Sequence, residues 1–343
     1  MTDIQNALHY EILKKKGVFI MKKILITMTV DDSFREKMLA VADPNEYELI
    51  FKGNAAKGEA DIDADDVKDV SAVLGHLPPR LMQCAEKLEW LQTQSAGVDR
   101  YLSPPILPER VTLTNAVGGY GVAVSEHMTA LTLSVMKNLP IYSRSQGSRT
   151  WLRGSRNARQ IEGSTVLVLG MGNIGSNYAR QMKGLGCHVI GVRRNTDKPM
   201  PAYFEEQYSL DQLDSVLPRA DVVAMIVPGG DPTRGMIDAR RIALMKDGAV
   251  IVNAGRGVSI DTAALVDALK SGKLSGAGLD VTDPEPLNEE NELWNLDNVI
   301  ITPHVAGMLE GNRDRVSSVL LENLRRYCSG EPLMNVVDKV LGY

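Results

Sequence analysis

The sequence predicts an α/β protein made of two doubly wound parallel-sheet domains. Residues 21–120 and residues 164–304 both alternate apolar strand patterns with helical patterns, which is typical of parallel sheets covered by helices on both faces. The second region opens with the continuous apolar run Val166–Leu169, as expected for a strand buried on both faces. That run leads directly into Gly170, Gly172 and Gly175, the pattern of a tight strand-to-helix turn.

Length and composition fit an α/β protein of two domains and argue against a nucleic-acid-binding, membrane-spanning or zinc-binding protein. The chain has 343 residues, enough for two domains, with 44% hydrophobic and 24% charged residues. A net charge of −5 argues against nucleic acid as a partner. No apolar run approaches the ~20 residues that span a membrane. The three cysteines are far apart, which indicates reduced thiols in a cytoplasmic protein and no zinc site or other metal site.

Residues 1–20 stand apart from the rest of the sequence. They carry Lys14–Lys16 but only a short apolar run, so a signal peptide fits poorly. The chain then begins again at Met21 with a lysine pair and a strand pattern. We expect a dispensable extension, and the alternative is an amphipathic oligomerisation helix.

The first region is expected to contain five strands. They are predicted at Ile24–Val30, Tyr47–Phe51, Val73–Leu77, Trp90–Thr93 and Val111–Thr114. After the fourth strand comes the small-residue loop Ser95-Ala96-Gly97. Ligands of open α/β sheets bind at the carboxyl ends of strands, although such a loop taken alone is most often a turn.

The second region follows a long predicted helix, Val122–Leu139. Its strands are predicted at Val166–Leu169, His188–Val192, Val222–Ile226, Ala249–Asn253, Ala277–Val281 and Val299–Thr302. Amphipathic helices are predicted at Asp211–Leu217 and Asp261–Leu269, each opening with an aspartate suited to an N-cap, and Leu309–Cys328 forms a final helix.

The glycine pattern between a buried strand and a helix predicts a dinucleotide site. Gly170 permits the turn, Gly172 lets the backbone approach a pyrophosphate, and Gly175 allows the helix to pack closely on the strand. The N-terminus of the helix offers N–H groups and partial positive charge to the phosphates.

The end of the next strand predicts which dinucleotide is preferred. An acidic residue usually binds the ribose 2′-OH of NAD there, but this sequence has Arg193 and Arg194. A guanidinium binds a 2′-phosphate through charge-assisted hydrogen bonds, whereas a carboxylate repels it. We therefore expect NADP(H) to be favoured, with NAD(H) possible; the alternative is that the arginines are merely exposed.

Three further strand ends carry polar residues that suit the reduction of a 2-keto acid. Arg256 offers a permanently charged clamp for a carboxylate and carbonyl. His304 is suited to proton transfer near neutral pH, and Glu285 could orient its ring and favour the protonated form.

These motifs, in this order, resemble the D-isomer-specific 2-hydroxyacid dehydrogenases from Met21 to Tyr343. The resemblance is carried by Val166–Gly175, by Val252-Asn253-Ala254-Gly255-Arg256-Gly257, by Leu279-Asp280-Val281 through Glu285-Pro286-Leu287, and by Thr302-Pro303-His304. Asn335-Val336-Val337-Asp338 and Gly342-Tyr343 are also similar to the family's C-terminal segment.

The resemblance implies a Rossmann dinucleotide-binding domain (121–305) inserted into a smaller flavodoxin-like substrate-binding domain (21–120 plus 306–343). It also implies a homodimer, an Arg256 that binds substrate, and a His304–Glu285 acid/base pair. Backbone N–H groups of Ser95, Ala96 and Gly97 would bind the substrate carboxylate. The resemblance and the arginine pair together predict that the cofactor is bound by Gly170, Gly172, Asn173, Ile174, Gly175, Arg193, Arg194, Pro228, Ala254 and Asp280.

Departures from the family pattern indicate which branches of the family the sequence resembles most. The arginine pair resembles the NADP-preferring glyoxylate, hydroxypyruvate and 2-ketoacid reductases, while Pro228-Gly229-Gly230 replaces the usual Pro-Leu-Thr. Glu285 argues against a formate dehydrogenase, and the end at Tyr343 argues against a long-form phosphoglycerate dehydrogenase. The alternatives are a short-form D-3-phosphoglycerate dehydrogenase, although nothing at 95–99 supplies a phosphate ligand, and a non-catalytic dinucleotide-sensing protein like the corepressors of this fold.

Overall fold

A computed structural model describes residues 21–53, 61–102, 106–153, 158–309 and 311–342. The predicted N-terminal extension, 1–20, lies outside these residues. The described chain divides into two compact units. The first covers the residues up to Gly119 and those from Asp314 onward, and the second runs from Tyr120 to Arg313. The assignment of substrate binding to the first unit and of dinucleotide binding to the second stays a prediction.

The first unit is built on a five-stranded parallel sheet of order β2-β1-β3-β4-β5. This order is the flavodoxin-like one, as expected. Its strands are β1 (Lys22–Ile26), β2 (Tyr47–Phe51), β3 (Val70–Leu74), β4 (Trp90–Gln92) and β5 (Thr112–Thr114). Its described helices are α1 (Asp32–Val41), α2 (Ala64–Val67), α3 (Asp99–Leu102) and a 3₁₀ helix at Pro79–Cys84.

The second unit is built on a seven-stranded parallel sheet of order β12-β11-β10-β9-β6-β7-β8. The strands are β6 (Thr165–Leu169), β7 (His188–Arg193), β8 (Glu206–Ser209), β9 (Val222–Met225), β10 (Ala249–Asn253), β11 (Leu274–Leu279) and β12 (Val299–Ile301). Counted within the unit, six of them have the 3-2-1-4-5-6 order of a Rossmann fold, and β12 adds a seventh at the edge. The predicted fold class is confirmed.

Helices cover both faces of this sheet. They are α4 (Gly121–Met136), α5 (Leu139–Gly147), α6 (Asn173–Gly184), α7 (Leu213–Val216), α8 (Ala239–Leu244) and α9 (Thr262–Ser271). A further helix, α10 (Asn312–Cys328), begins at the end of the second unit and belongs to the first from Asp314 onward. Short 3₁₀ helices lie at Leu210–Gln212, Leu217–Arg219, Asp231–Thr233, Gly257–Ser259 and Glu292–Asn295.

The strand pattern explains why both faces are covered. Val166 and Val168 of β6 are buried in one apolar cluster with Met128 of α4, whereas Leu167 and Leu169 are buried in a second cluster with side chains of α9. Successive strand residues face opposite sides of a sheet, so a continuous apolar run needs a layer on each side.

Several element boundaries differ from the prediction. The third strand is Val70–Leu74 and not Val73–Leu77, because Gly75 adopts a φ of 121° and ends it. The predicted helix at Asp211–Leu217 is divided into a 3₁₀ turn, the four-residue α7 and a second 3₁₀ turn containing Pro218. The long predicted helix ends at Met136, since Asn138 is left-handed with a φ of 57°.

Candidate active site

The second sheet places its ligand-binding edge where the strand order reverses, between β6 and β9. Ligands of doubly wound sheets bind outside the carboxyl ends of the strands at this point. Gly170 follows β6 with a φ of 106°, which only glycine adopts readily. A Cβ on Gly170 would also lie 2.5 Å from the carbonyl oxygen of Ile226, which follows β9. The turn after β6 therefore requires glycine at this position.

The other two glycines differ in a way that fits a dinucleotide. A Cβ on Gly175 would overlap the carbonyl oxygen of Gly170, so this glycine allows the helix to pack against the turn. A Cβ on Gly172 would have no heavy atom of the described residues within 4 Å. Helix α6 begins at Asn173 without a side-chain cap on its first N–H groups. Open space over Gly172 and uncapped N–H groups at Asn173, Ile174 and Gly175 suit a pyrophosphate.

The two arginines at the end of β7 have different surroundings. The Arg193 guanidinium donates Nη2 to the carbonyl oxygens of Lys198 and Pro199, so it fastens the loop between β7 and β8. Its Nε atom is buried without a hydrogen-bond partner among the described residues. Arg194 is exposed. With Lys198 nearby in sequence, this loop carries basic residues where a dinucleotide domain that selects NAD usually has an acid.

Pro228 and Ala254 follow β9 and β10 on the same edge. The Pro228 carbonyl oxygen accepts a 2.7 Å hydrogen bond from the Thr233 hydroxyl, which closes the Pro228-Gly229-Gly230 turn. The Ala254 N–H donates to the carbonyl of Met225 at 3.2 Å. Pro228 therefore follows a strand that borders the place where the strand order reverses, and Ala254 follows the next strand along the sheet.

Arg256 lies in a loop that its neighbours fix firmly. The Asn253 side chain donates 3.0 Å to the Arg256 carbonyl and accepts 3.0 Å from the Gly255 N–H, and the Ser259 hydroxyl donates 2.6 Å to the same Arg256 carbonyl. The Arg256 side chain is half-buried, with Nη1 2.7 Å from the Gly255 carbonyl. A Cβ on Gly257 would overlap the Thr282 carbonyl, so this loop packs directly against the segment that leads to Glu285.

His304 and Glu285 are in direct contact. His304 Nδ1 lies 2.9 Å from Glu285 Oε2, and the other carboxylate oxygen accepts the Thr282 N–H at 3.2 Å. Both side chains are about half exposed, 53% and 40% respectively. The contact holds one ring nitrogen of His304 against a carboxylate and leaves Nε2 for a second partner.

Asp280 holds the backbone that carries His304. It is 2% exposed, and its carboxylate accepts hydrogen bonds from the Thr302 hydroxyl (2.6 Å) and from the N–H groups of Val305 and Ala306 (both 3.0 Å). Its own carbonyl accepts the His304 N–H at 2.8 Å. His304 has a φ of 52°, a costly conformation for a non-glycine residue that persists only where its surroundings enforce it.

His127 of α4 completes this network and was not singled out from the sequence. Its Nε2 lies 2.8 Å from the Thr302 hydroxyl oxygen and 3.6 Å from Asp280 Oδ1. Thr302 donates to Asp280, so it accepts from His127, and the three residues form one chain of hydrogen bonds. The signal that the sequence offered is a histidine within the predicted helix Val122–Leu139.

Ser95, Ala96 and Gly97 belong to the first unit and are described there alone. Their three carbonyl oxygens accept hydrogen bonds, Ser95 from Thr93 and Ala116, Ala96 from the Asn115 side chain, and Gly97 from the Ser95 hydroxyl. Their N–H groups donate no hydrogen bond to the backbone of the described residues. The loop therefore turns its acceptors inward and suits an anion on its donor side.

Other kinds of site are not seen in the described ranges. No three or more His, Cys, Asp or Glu side chains there are grouped so as to hold a metal ion. No helix in this part of the chain is long and apolar enough to cross a bilayer.

Comparisons with known proteins point to one family. A sequence model of the D-isomer specific 2-hydroxyacid dehydrogenase NAD binding domain matches residues 129–306. A D-3-phosphoglycerate dehydrogenase of Archaeoglobus fulgidus is 31% identical over 75% of this chain, which spans 49% of that relative.

Two solved structures resemble the whole fold. A D-isomer specific 2-hydroxyacid dehydrogenase family protein from Aeromonas salmonicida is 30% identical, with a TM-score of 0.77 over 93% of this chain and 99% of that one. An NADPH-dependent glyoxylate/hydroxypyruvate reductase from Sinorhizobium meliloti, in complex with NADP and sulfate, is 30% identical, with a TM-score of 0.77 over 94% and 100%.

Proposed function

Because the chain belongs to the D-isomer specific 2-hydroxyacid dehydrogenase family, we propose that it reduces a 2-keto acid to a D-2-hydroxy acid with NADPH. The second unit binds the dinucleotide and the first binds the substrate. The nicotinamide cofactor supplies the hydride that reaches the carbonyl carbon. The residues of this chain bind and orient the substrate and deliver the proton.

The observation that carries this proposal is the 2.9 Å contact between His304 Nδ1 and Glu285 Oε2. The carboxylate holds Nδ1 and fixes the orientation of the ring, so Nε2 can donate a proton to the developing alkoxide. In the oxidative direction, the same nitrogen accepts the proton from the hydroxyl group. Asp280, Thr302 and His127 support this by holding the backbone of His304.

Arg256 and the Ser95–Gly97 loop are proposed to bind the substrate carboxylate. The half-buried guanidinium of Arg256 can form paired hydrogen bonds with the carboxylate and polarise the neighbouring carbonyl. The N–H groups of Ser95, Ala96 and Gly97 supply neutral donors to the same group. Neither interaction needs a metal ion.

The dinucleotide is proposed to bind over Gly172, with Pro228, Ala254 and Asp280 near the nicotinamide end. NADPH is favoured because the loop after β7 carries Arg193 and Arg194, and NADH remains usable. Arg194 is proposed as the ligand of the 2′-phosphate, since its side chain is exposed at the end of β7.

A cytoplasmic homodimer is proposed for this enzyme. The three cysteines, Cys84, Cys187 and Cys328, are all free thiols, as suits a reducing compartment. Trp151 of the second unit is 86% exposed and Leu139 is 50% exposed, so apolar surface is available for a second copy. Light scattering at micromolar concentration should give twice the chain's mass, and Trp151→Ser should shift the equilibrium toward the monomer.

The test is loss of reduced-nicotinamide absorbance with NADPH and with NADH across a panel of 2-keto acids. Turnover that is lost in His304→Asn supports the proposal. Tight NADPH binding with no turnover on any keto acid would favour the dinucleotide-sensing alternative instead.

A further inference from the structure

The turn that follows β5 holds two carbonyl groups of the Ser95–Gly97 loop. Asn115 comes directly after β5, and its side-chain Nδ2 donates 3.1 Å to the Ala96 carbonyl. The N–H of Ala116 donates 3.0 Å to the Ser95 carbonyl. Strands β4 and β5 are parallel neighbours, so the turn after one strand lies beside the loop after the other. Two hydrogen bonds therefore fasten the loop to this turn.

The same two bonds determine where N–H groups of the loop point. In a planar trans peptide, the carbonyl of one residue and the N–H of the next point in opposite directions. The peptide bonds within this loop are trans. Asn115 therefore fixes the direction of the Gly97 N–H by holding the Ala96 carbonyl. Ala116 fixes the direction of the Ala96 N–H in the same way, by holding the carbonyl of Ser95.

Asn335, in the segment after α10, holds the turn that follows β5. Its carbonyl accepts the Asn115 N–H at 3.3 Å, and its side-chain Nδ2 donates to the carbonyls of Asn115 (3.4 Å) and Val117 (2.8 Å). The Val117 N–H donates 3.1 Å to Asn115 Oδ1, which closes the turn. Asn115 is 3% exposed. Asn335 has a φ of 54°, a left-handed conformation that asparagine adopts more readily than most residues.

The backbone on both sides of Asn335 is anchored independently of its side chain. Asn323 of α10 is fully buried, accepts the Met334 N–H at 2.8 Å and donates 3.0 Å to the Met334 carbonyl. On the other side, the Val337 N–H donates 2.8 Å to the carbonyl of Leu113 in β5. We therefore expect the segment to keep its place when the amide of Asn335 is removed.

We propose that Asn335 is a positioning residue for substrate binding, which acts through Asn115 on the Ser95–Gly97 loop. The inference rests on the proposed function, in which N–H groups of that loop bind the substrate carboxylate. Asn335 holds the turn after β5, and that turn aims the N–H groups of Ala96 and Gly97. Donors that are already in place before binding cost less to order when the substrate arrives. The segment after α10 therefore contributes to the affinity for the keto acid.

The experiment compares Asn335→Gly and Asn335→Asp with the wild type. Glycine keeps the left-handed backbone and removes the amide, whereas aspartate keeps the shape of the side chain and removes only the donor. Asn138→Gly, at a left-handed position of the second unit with a φ of 57°, is the matched control. If Asn335→Gly fails to fold, Asn335→Asp gives the same comparison.

Four quantities are measured for each variant: kcat and KM with the keto acid that is reduced fastest, and the Kd values of NADPH and of oxamate. Oxamate has the carboxylate and carbonyl of a 2-keto acid but is not reduced, so its Kd in the presence of NADPH reports binding alone. Both Asn335 variants should raise KM and the Kd of oxamate roughly 3- to 10-fold, the usual loss for one neutral hydrogen bond. kcat should change less than about twofold, as expected for binding that the ground state and the transition state share. The Kd of NADPH should not change, and Asn138→Gly should match the wild type in all four.

The outcomes separate this inference from the proposed function. Turnover with unchanged KM and unchanged oxamate affinity in both Asn335 variants overturns the positioning role and leaves the reductase intact. Equal losses in keto acid affinity, NADPH affinity and kcat also overturn it, because they would show a general loss of structure. If the wild type neither binds oxamate nor reduces any keto acid, the proposed function itself is contradicted, and the positioning role with it.

Discussion

Thr302 donates a 2.6 Å hydrogen bond to Asp280 and lies 2.8 Å from His127 Nε2, so its hydroxyl links α4 to the turn that carries His304. We predict that Thr302→Val lowers kcat roughly 10- to 100-fold, because a nearly buried carboxylate loses one of its donors. KM for the keto acid should change less than kcat. Thr302→Ser keeps the hydroxyl and should restore most of the activity, so equal damage from Val and Ser would contradict the role assigned to the hydrogen bond.

His304 and Glu285 should differ in the size of their effects. His304→Asn removes the proton donor and is expected to lower kcat by about 10²- to 10⁴-fold. Glu285→Gln keeps a hydrogen-bond acceptor but removes the charge, and a smaller loss of kcat is expected. The matched control is Glu289→Gln, an exposed residue of the same loop region. A His304→Asn enzyme with near-normal turnover would refute the assignment.

Substitutions of two glycines in the dinucleotide loop should have different effects, one on the stability of the fold and the other on the binding of NADPH. Gly175→Ala places a methyl group against the Gly170 carbonyl and should destabilise the fold by about 1–3 kcal/mol. Gly172→Ala meets no atom within 4 Å, so its melting temperature should be near that of the wild type while its affinity for NADPH falls. Gly184→Ala, with equally open surroundings at the end of α6, is the control for both measurements. Thermal melts measure the stability of each variant, and fluorescence titration measures its affinity for NADPH. An unchanged melting temperature in Gly175→Ala, or an unchanged affinity in Gly172→Ala, would contradict these roles.

Arg194 is expected to set the cofactor preference. Arg194→Asp should lower the ratio of kcat/KM for NADPH over NADH by roughly 10- to 100-fold or more, because a charge-assisted hydrogen bond is replaced by repulsion. Arg180→Asp on α6 makes the same change of charge at another exposed position. An unchanged ratio in Arg194→Asp would exclude Arg194 as the 2′-phosphate ligand.

An ion-pair cluster at the β8 edge should make stability depend on pH in the acid range. Arg219, Tyr208 and His188 hydrogen-bond the Glu206 carboxylate and lower its pKa to about 2. In the unfolded chain the pKa is about 4.3, so the folded state gains stability when the group is ionised. The gain is complete above roughly pH 5 and is lost as the pH falls toward 2. Glu206→Gln should cost roughly 1 kcal/mol at pH 7, with the difference in melting temperature shrinking below pH 4. A constant difference across this range would contradict the assignment.

The sequence correctly predicted those strands in which the apolar pattern of the sequence agrees with the burial of the residues in the structure. The strands Tyr47–Phe51 and Ala249–Asn253 have the predicted limits, since apolar residues end where the strand does. Leu77 misled the prediction of β3, because it is fully buried although the strand ends three residues earlier. Strand β8 was missed because its residues Glu206–Ser209 are mostly polar and only half-buried, as an edge strand allows.

The individual residues of the candidate site could be predicted from the sequence more readily than the contacts between them. Arg256, Glu285 and His304 follow strand patterns closely, so their places at strand ends could be predicted. The contact of His127 with Thr302 joins residues 175 positions apart, and no local pattern reports it.

The order in which the two units are encoded has a consequence for synthesis on the ribosome. The first unit needs residues from both ends of the sequence. Val337 donates its N–H to Leu113, the Asn323 amide contacts Gln92, and Tyr327 stacks on Trp90. The second unit is continuous, so it can fold as soon as Arg313 has emerged from the exit tunnel, whereas the first must wait for the last segment. Nascent chains stalled so that Arg313 has emerged while the segment from Asp314 onward is still inside the tunnel should therefore protect the second unit from protease and leave the first open to cleavage.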